Sequence, residues 1–291
     1  MRPLPQDSFA NYTPEPEPTT PEAFNPDDPP WGVGSALLLW VASILLMVFV
    51  PLFLVVPYML YRVGAADFGK SIEGLANDPS IILVSIAATV PTHLLTLLLV
   101  WAVVTRYGRR PFWPVIGWSW SPRFGFWVCL AAAILLLGSA MAVAKLLGVA
   151  RTPFDDMLES SPYALFAVAF LATATAPLVE ELVYRGVLYS ALRRAVGVAG
   201  AVLLVTFLFA LVHFWQYQTS PGTIGAILLL SLALTIVRAS TQRVLPCVVI
   251  HFIFNGVQVA GLLYTYFRPD KPPGETQAAL SALQKLLAIS Y

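Results

Sequence analysis

The chain has 291 residues, of which 58% are hydrophobic and only 11% are charged, and its net charge is +1. An ordinary soluble domain has about 25% charged residues, whereas the mean hydropathy here is +0.74. This composition indicates an integral membrane protein and excludes a soluble domain. The balanced charge gives no indication of nucleic-acid binding.

The first predicted segment is residues 1–30, a Pro-rich tail in which every charged residue except Arg2 is acidic. Such a segment cannot bury enough apolar surface to fold alone, so we expect it to be disordered. It lacks the apolar run of a secretory signal peptide, and we expect none here.

Long apolar runs follow this tail, and a membrane-spanning helix needs about 20 such residues. The run 195–237 has no formal charge and is too long for one span, but the polar stretch 216–222 divides it in two. The sequence therefore predicts spans within residues 31–61, 79–105, 124–144, 160–179, 195–215, 223–237 and 244–267.

These runs predict an all-α, polytopic transmembrane helical bundle of about 7–8 spans. We expect three amino-terminal spans in residues 31–148, a core in 160–267 and an interfacial amphipathic segment in 268–291. Arginines such as Arg193, Arg194 and Arg238 are assigned to loops on the amino-terminal side. Their excess there predicts a multi-pass protein of the plasma membrane with a cytoplasmic amino terminus.

Ionisable side chains inside the spans are few, and each is costly in a bilayer, so each is a candidate functional residue. The candidates are Glu180, Glu181, Arg185, His93, His213 and His251, with Asn255 as a neutral polar companion. A lone histidine in a membrane is more often a packed residue with a single hydrogen bond, and we expect this of His93.

The stretch APLVEELVYRG places two adjacent carboxylates at the end of the fourth apolar run. Glu181 and Arg185 are at i and i+4 of a helix, so they can form an ion pair. Glu180 points about 100° away and is not explained by that pair. Pro177 would remove a hydrogen bond to the carbonyl of Thr173 and bend the helix, which favours a cavity here. The small residues before Pro177 would let a neighbouring helix approach closely.

The histidines of the later spans can meet Glu180 only if they lie at the same depth in the membrane. A turn near Gly197 would form an antiparallel hairpin in which Glu180 and His213 lie at the same level, facing each other. His251 and Asn255, at i and i+4, share one face of the seventh span. His251 lies only a few residues into that span, so it reaches the same depth only if the hairpin turn protrudes from the membrane.

Three motifs therefore occur in order on neighbouring apolar segments: Glu180-Glu181-x-x-x-Arg185, Phe209-x-x-x-His213 and His251-x-x-x-Asn255. They resemble the motifs of the CPBP family (CAAX proteases and bacteriocin-processing enzymes), also called ABI proteins, which includes the CAAX prenyl endopeptidases. The resemblance covers roughly residues 160–264. It implies an intramembrane endopeptidase that hydrolyses peptide bonds of a membrane-embedded or lipidated substrate in the lipid bilayer.

The resemblance also implies a role for each motif. The carboxylate of Glu180 would activate a water molecule with His213 beside it. The ion pair of the same helix would fix the helix and orient that carboxylate. His251 and Asn255 would donate hydrogen bonds to the oxyanion of the tetrahedral intermediate.

The sequence leaves metal dependence open. Members of the family are often labelled metalloproteases, and Glu180, His213 and His251 could supply a carboxylate and two imidazoles to a divalent metal such as zinc. The alternative is a metal-free mechanism that depends on the glutamate, with the histidines as hydrogen-bonding partners.

The sequence argues against other classes of intramembrane protease and leaves two non-proteolytic alternatives. No histidine is followed by glutamate, so no His-Glu-x-x-His motif exists, and every aspartate lies outside the predicted spans. A non-proteolytic membrane scaffold or immunity factor could keep the same polar residues as structural hydrogen bonds. The only feature that favours a transporter is the buried carboxylate of Glu180. Cys129 and Cys247 lie in apolar runs and are predicted to be packing residues.

Overall fold

The computed structural model describes residues 25–64, 67–69, 74–75 and 78–267. The predicted interfacial segment 268–291 and residues 1–24 of the predicted tail lie outside the described residues. Across the described ranges the secondary structure is helical, with only an isolated bridge between Ser121 and Phe124 and no β-strand. The predicted all-α class is confirmed.

The helices are labelled in chain order, with two π-helical segments named separately. They are α1 (Val33–Val63), α2 (Pro79–Ala87), α3 (Thr89–Thr105), α4 (Phe112–Ile116), α5 (Phe126–Leu147), α6 (Pro153–Glu159), α7 (Pro162–Phe170), π1 (Leu171–Thr175), α8 (Ala176–Glu181), π2 (Leu182–Leu188), α9 (Tyr189–Tyr217), α10 (Pro221–Thr241) and α11 (Leu245–Phe267).

Six helical stretches in the described ranges are long and apolar enough to cross a membrane: Val33–Val63, Pro79–Thr105, Phe126–Leu147, Pro162–Tyr217, Pro221–Thr241 and Leu245–Phe267. The fourth has 56 residues, which would measure about 80 Å as one straight helix. A hydrocarbon core is only about 30 Å thick. These apolar helices make the chain an integral, multi-pass membrane protein.

The long fourth stretch is two helices joined by a sharp turn at Gly197. This residue has a φ of 74° and a ψ of 177°, which are not helical. The rings of Tyr184 and Phe209, from the two sides of the turn, meet edge to face with centroids 5.0 Å apart. The two arms are therefore antiparallel, and the predicted turn near Gly197 is confirmed. Counted separately, they bring the apolar helices of the described residues to seven, within the predicted range of about 7–8.

Helices α5, α10 and α11 pack together as one layer of the bundle, around a shared cluster of buried side chains. The amide of Gly222, at the start of α10, donates a hydrogen bond of 2.8 Å to the carbonyl of Gly148, just after α5. Cys129 and Cys247 are both fully buried in this layer and carry free thiols. Their prediction as packing residues is confirmed.

Ion pairs and hydrogen bonds show which helix ends lie together. At one end Arg106, after α3, donates to the carbonyl of Pro30, before α1. At the other end Arg62, near the end of α1, pairs with Asp78 at 3.2 Å. Hydrogen bonds from Ser80 and the nearby guanidinium hold the pKa of Asp78 below its usual value. The chain enters α1 at the end of the bundle where Arg106 lies, and this end is called the amino-terminal end below.

Two predictions at that end are wrong. Arg238 was assigned to a loop, but it lies in the last turn of α10 and is completely buried. Residues 25–30 were assigned to the disordered tail, but they pack against the bundle. Both differences involve one contact, an ion pair of 2.8 Å between Asp27 and Arg238. The local sequence gives no indication of a partner so far away along the chain.

Candidate active site

The candidate site lies where the first arm of the hairpin departs from regular α-helix. The π-helical segment π1 ends at Thr175, and Pro177 occupies the first turn of α8. Proline has no N–H to donate to the carbonyl of Thr173, and π-helical turns occur often at functional sites. The helix irregularity predicted at Pro177 therefore takes the form of a π-helical turn immediately before it.

Glu181 and Arg185 form the ion pair that their spacing predicts. Nη1 of Arg185 donates to Oε1 of Glu181 at 3.0 Å, and both side chains are completely buried. The guanidinium also lies over the ring of Phe209, with Cζ 4.8 Å from the centroid. A buried guanidinium needs a partner for each of its donors, and a single carboxylate oxygen does not supply them all.

The remaining partners come from α10, and the sequence analysis missed them. Arg185 donates to the carbonyl and Oγ of Ser231 at 3.0 and 2.9 Å, and to Oγ1 of Thr235 at 3.3 Å. Nε of Arg238 donates to the carbonyl of Arg185 at 3.0 Å. Ser231, Thr235 and Arg238 are at i, i+4 and i+7, so they form one polar stripe along an otherwise apolar helix. That spacing is the signal by which they could have been found.

His251 lies against both adjacent glutamates. Its Nδ1 is 2.8 Å from Oε1 of Glu181, its Nε2 is 3.8 Å from Oε2 of Glu180, and only 1% of the side chain is exposed. The sequence allowed this meeting only if the hairpin turn protrudes. The arm of residues 162–196 is about 50 Å long, well above a hydrocarbon core of about 30 Å, which leaves length for the turn to protrude.

His213 is held from its own helix. Its Nδ1 is 2.8 Å from the carbonyl of Phe209. A carbonyl oxygen only accepts, so Nδ1 carries the proton and, in the neutral ring, Nε2 is left as an acceptor. The ring of Phe209 lies against both imidazoles, with centroids 4.8 Å from His213 and 6.5 Å from His251.

The facing of Glu180 and His213 across the hairpin stays a prediction. Within residues 78–267 no hydrogen bond or ion pair joins the two side chains, and the histidine in contact with Glu180 is His251. Oε2 of Glu180 is buried without a hydrogen-bonding partner in the described part of the chain, while 20% of the whole side chain is exposed.

Asn255 connects α11 to the π-helical turn. Its Nδ2 donates to the carbonyl of Ala172 at 2.9 Å, and its Oδ1 is buried without a partner among the described residues. A Cβ added to Gly256 would lie 3.6 Å from Cγ2 of Thr173. This contact agrees with the prediction that the small residues before Pro177 admit a neighbouring helix. One hydrogen of the Asn255 amide is thus used within the fold, and the second is left over.

The amino-terminal spans also reach this site. Nδ1 of His93, on α3, is 2.9 Å from Oγ1 of Thr175, and His93 is 5% exposed. This is the packed residue with a single hydrogen bond that we expected. Nε1 of Trp40, on α1, donates to the hydroxyl of Tyr184 at 3.0 Å. Helices outside the motif-bearing core therefore support the helix that carries both glutamates.

The candidate metal ligands do not form a metal site. Across the described residues no three side chains of the His, Cys, Asp and Glu types are grouped closely enough to hold a metal ion. Of the proposed set Glu180, His213 and His251, only the first and last are in contact, and Nδ1 of His251 is bonded to Glu181. As placed in the described residues, these donors form no three-ligand group, and the chemistry below uses only the side chains of the chain.

Comparison with known proteins identifies a family match in this part of the chain. Residues 162–257 match a family described as Type II CAAX prenyl endopeptidase Rce1-like. No significant match was found among curated proteins or among solved structures. The matched segment contains all three motifs, which confirms the resemblance that they indicated. It supports a membrane-embedded protease of the CAAX type that acts on a membrane-associated peptide substrate.

Proposed function

We propose that the protein is an intramembrane endopeptidase in which Glu180 and His213 activate a water molecule, and His251 and Asn255 stabilise the oxyanion. The observation that carries this proposal is the unequal environment of two adjacent glutamates. Glu181 is completely buried and its Oε1 is shared by Arg185 and His251, whereas Glu180 is partly exposed and makes only the 3.8 Å contact with His251.

Water activation requires acceptors that are not already used by the fold. Glu180 and His213 have such atoms in Oε2 and Nε2, while Nδ1 of His213 is occupied by a carbonyl. A water that donates to both atoms would lose one proton to Glu180 as its oxygen attacks the substrate carbonyl carbon. The proton would then pass to the leaving amine as the C–N bond breaks, which balances the hydrolysis.

Oxyanion stabilisation requires donors that are fixed before the reaction begins. Asn255 is fixed by its hydrogen bond to Ala172, and its second amide hydrogen remains available. His251 is fixed by Glu181, which accepts from its Nδ1, and the proposed role requires that Nε2 also carries a proton to donate to the oxyanion. Removing one such donor from a protease costs about 3–4 kcal/mol of transition-state stabilisation.

We also propose that the substrate is a membrane-bound peptide such as a prenylated carboxyl terminus, with a leader peptide or signal fragment as alternatives. Membrane attachment would bring the scissile bond to a site inside the bundle. The arginines Arg106, Arg193, Arg194 and Arg238 all lie at the end of the bundle that holds residues 25–31. By the positive-inside rule, we propose that this end faces the cytoplasm, in a plasma membrane.

Glu180→Gln and His213→Ala test this mechanism. We expect each purified variant to lose at least about a hundred-fold in kcat on a prenylated reporter peptide, because general acid–base catalysis is worth about 10²–10⁴-fold. The assay measures release of the carboxyl-terminal fragment in detergent or vesicles. An unprenylated peptide of the same sequence, a leader peptide and a signal fragment are compared in parallel.

Glu159→Gln is the matched control, because it makes the same chemical change at a carboxylate that pairs with Arg151 outside the spans. We expect it to cleave at the wild-type rate, and we expect activity to survive a chelator. Near-wild-type cleavage by both folded site variants would falsify the proposed mechanism. A wild-type protein that cleaves none of the peptides would support the scaffold alternative.

A further inference from the structure

The chain before the first span is fastened to the helix that carries the candidate site. Residues 25–31, called the amino-terminal strap below, lie across the amino-terminal end of the bundle. Indole Nε1 of the buried Trp31 donates to the carbonyl of Val187, in π2, at 3.0 Å. Asp28 pairs with Arg194 at 3.1 Å, and Arg194 also donates to the carbonyl of Trp31 at 3.1 Å.

The deepest contact of the strap is between Asp27 and Arg238. Nη1 of Arg238 donates to Oδ1 of Asp27 at 2.8 Å, and the two side chains are 0% and 6% exposed. Asp27 also pairs with Arg193. The other acceptors around Arg238 are neutral, namely the carbonyls of Pro26 and Arg185 and the hydroxyl of Ser190. Asp27 is therefore the carboxylate that balances this buried cation.

Arg238 connects the strap to the candidate site through the main chain of π2. Its Nε donates to the carbonyl of Arg185 at 3.0 Å, and Arg185 in turn donates to Glu181 at 3.0 Å. Glu181 then holds His251 at 2.8 Å. A continuous series of direct contacts thus leads from Asp27 to the histidine beside Glu180.

We propose that Asp27 is a positioning residue for the candidate active site. Its carboxylate holds Arg238, and Arg238 holds the main chain at Arg185, so the strap sets the position of the paired glutamate and of His251. The kinetic consequence of this proposal rests on the proposed function, but its structural consequence does not. The strap lies outside the family match at residues 162–257, so this would be a site component that the motifs do not reveal.

The chemistry of a buried cation gives the expected direction of the effect. A guanidinium without a carboxylate partner is costly in a dry environment, and it moves towards water or other acceptors if it can. Movement of Arg238 would release the carbonyl of Arg185 in π2. A misplacement of about 1 Å in a catalytic arrangement can lower a rate by about a hundred-fold.

The test compares Asp27→Asn, Asp27→Glu, Arg238→Gln and the double variant Asp27→Asn with Arg238→Gln. Asp28→Asn is the matched control, because Asp28 belongs to the same strap but its pair with Arg194 is exposed. Two quantities are measured, namely kcat and KM on the prenylated reporter peptide, and amide hydrogen exchange of residues 182–189. The exchange measurement does not depend on any enzymatic activity.

We expect Asp27→Asn to lower kcat at least about ten-fold, with KM changed by less than about two-fold. Exchange at residues 182–189 should become about ten-fold faster, since these amides open locally more often. Asp27→Glu should keep most of the wild-type behaviour, and Asp28→Asn should match wild type. The double variant should match Arg238→Gln in both quantities, because Asp27 acts through Arg238.

Two results would overturn the proposal. One is an Asp27→Asn variant that matches Asp28→Asn in exchange, and the other is a double variant clearly worse than Arg238→Gln alone. If Asp27→Asn does not fold, a folded double variant that matches Arg238→Gln supports the counter-ion role. A double variant that fails to fold where Arg238→Gln folds contradicts it. If the wild type cleaves nothing, the proposed function fails and the exchange data alone decide this proposal.

Discussion

At the residue scale, two neighbouring glutamates have different environments because one helix turns them to different sides. Glu181 is completely buried between Arg185 and His251, which use its Oε1 at 3.0 and 2.8 Å. Glu180 has only the longer contact with His251 and keeps part of its surface exposed. We propose that this difference separates a carboxylate that supports the structure from one that takes part in the chemistry.

This division predicts different outcomes for stability and for cleavage. Glu181→Leu leaves Arg185 buried without its carboxylate, and it should lower the free energy of unfolding by about 3–5 kcal/mol. The double variant Glu181→Leu with Arg185→Met removes both charges, and it should recover most of that stability. Cleavage should remain lost in both, because His251 has lost the group that fixes it. Thermal unfolding in detergent and kcat measure the two effects.

A double variant that regains cleavage together with stability would show that the ion pair does not orient the site. Arg185→Met alone completes the cycle as the third variant. It should also be destabilised, because Glu181 would then have only His251 as a partner.

At the element scale, the start of α10 is seated closely against the end of α5. A Cβ added to Gly222 would lie 2.5 and 2.6 Å from the carbonyl oxygens of Ala144 and Gly148. One added to Gly225 would lie 2.7 Å from Cδ1 of Leu147. Small residues at such positions let membrane helices approach closely.

Gly222→Ala should therefore destabilise the protein by about 1–3 kcal/mol, because two main-chain carbonyls leave no room for the methyl group. Gly138→Ala is the matched control on α5, since a Cβ there meets nothing within 4 Å. It should be neutral or stabilise by roughly 0.5–1 kcal/mol, as alanine restricts the unfolded chain. Thermal unfolding of the two variants in the same detergent measures the difference. Equal unfolding temperatures would contradict the close approach.

At the scale of the whole molecule, the number of membrane crossings depends on the break at Gly197. An unbroken helix of 56 residues could not fit within a hydrocarbon core of about 30 Å. The break turns the chain back, and the return arm carries Phe209 and His213 past the two glutamates. The contacts of the strap then place the turn at the same end as residues 25–31.

Single cysteines test this topology. We expect Val198→Cys, just after the turn, and Thr219→Cys, between α9 and α10, to react with a membrane-impermeant maleimide from opposite sides of sealed vesicles. Both positions are exposed, and native Cys129 and Cys247 are fully buried, so background labelling should be low. If the arginine-rich end is cytoplasmic, Val198→Cys reacts from the cytoplasmic side. Labelling of both positions from one side would contradict the hairpin.

Much of the candidate site was predictable because its residues are local partners on single helices. The i and i+4 spacing of Glu181 and Arg185 predicted their ion pair, which is confirmed. The facing of Glu180 and His213 was predicted from depth alone and stays a prediction, since the contact that the described residues show for Glu180 is with His251. Depth along an apolar helix follows from counting residues, whereas rotation depends on neighbours from other helices. The catalytic roles of all these residues stay predictions.

Apolar length and local spacing were enough to predict the membrane class, the apolar spans and the turn near Gly197, because both act along one stretch of chain. The packing of the helices places His251 beside both glutamates and the polar stripe of α10 against Arg185, and neither contact follows from spacing along the chain. The same packing brings Asp27 to Arg238. These contacts join residues far apart in sequence, and a buried charge takes whichever partner the packing of helices brings within reach.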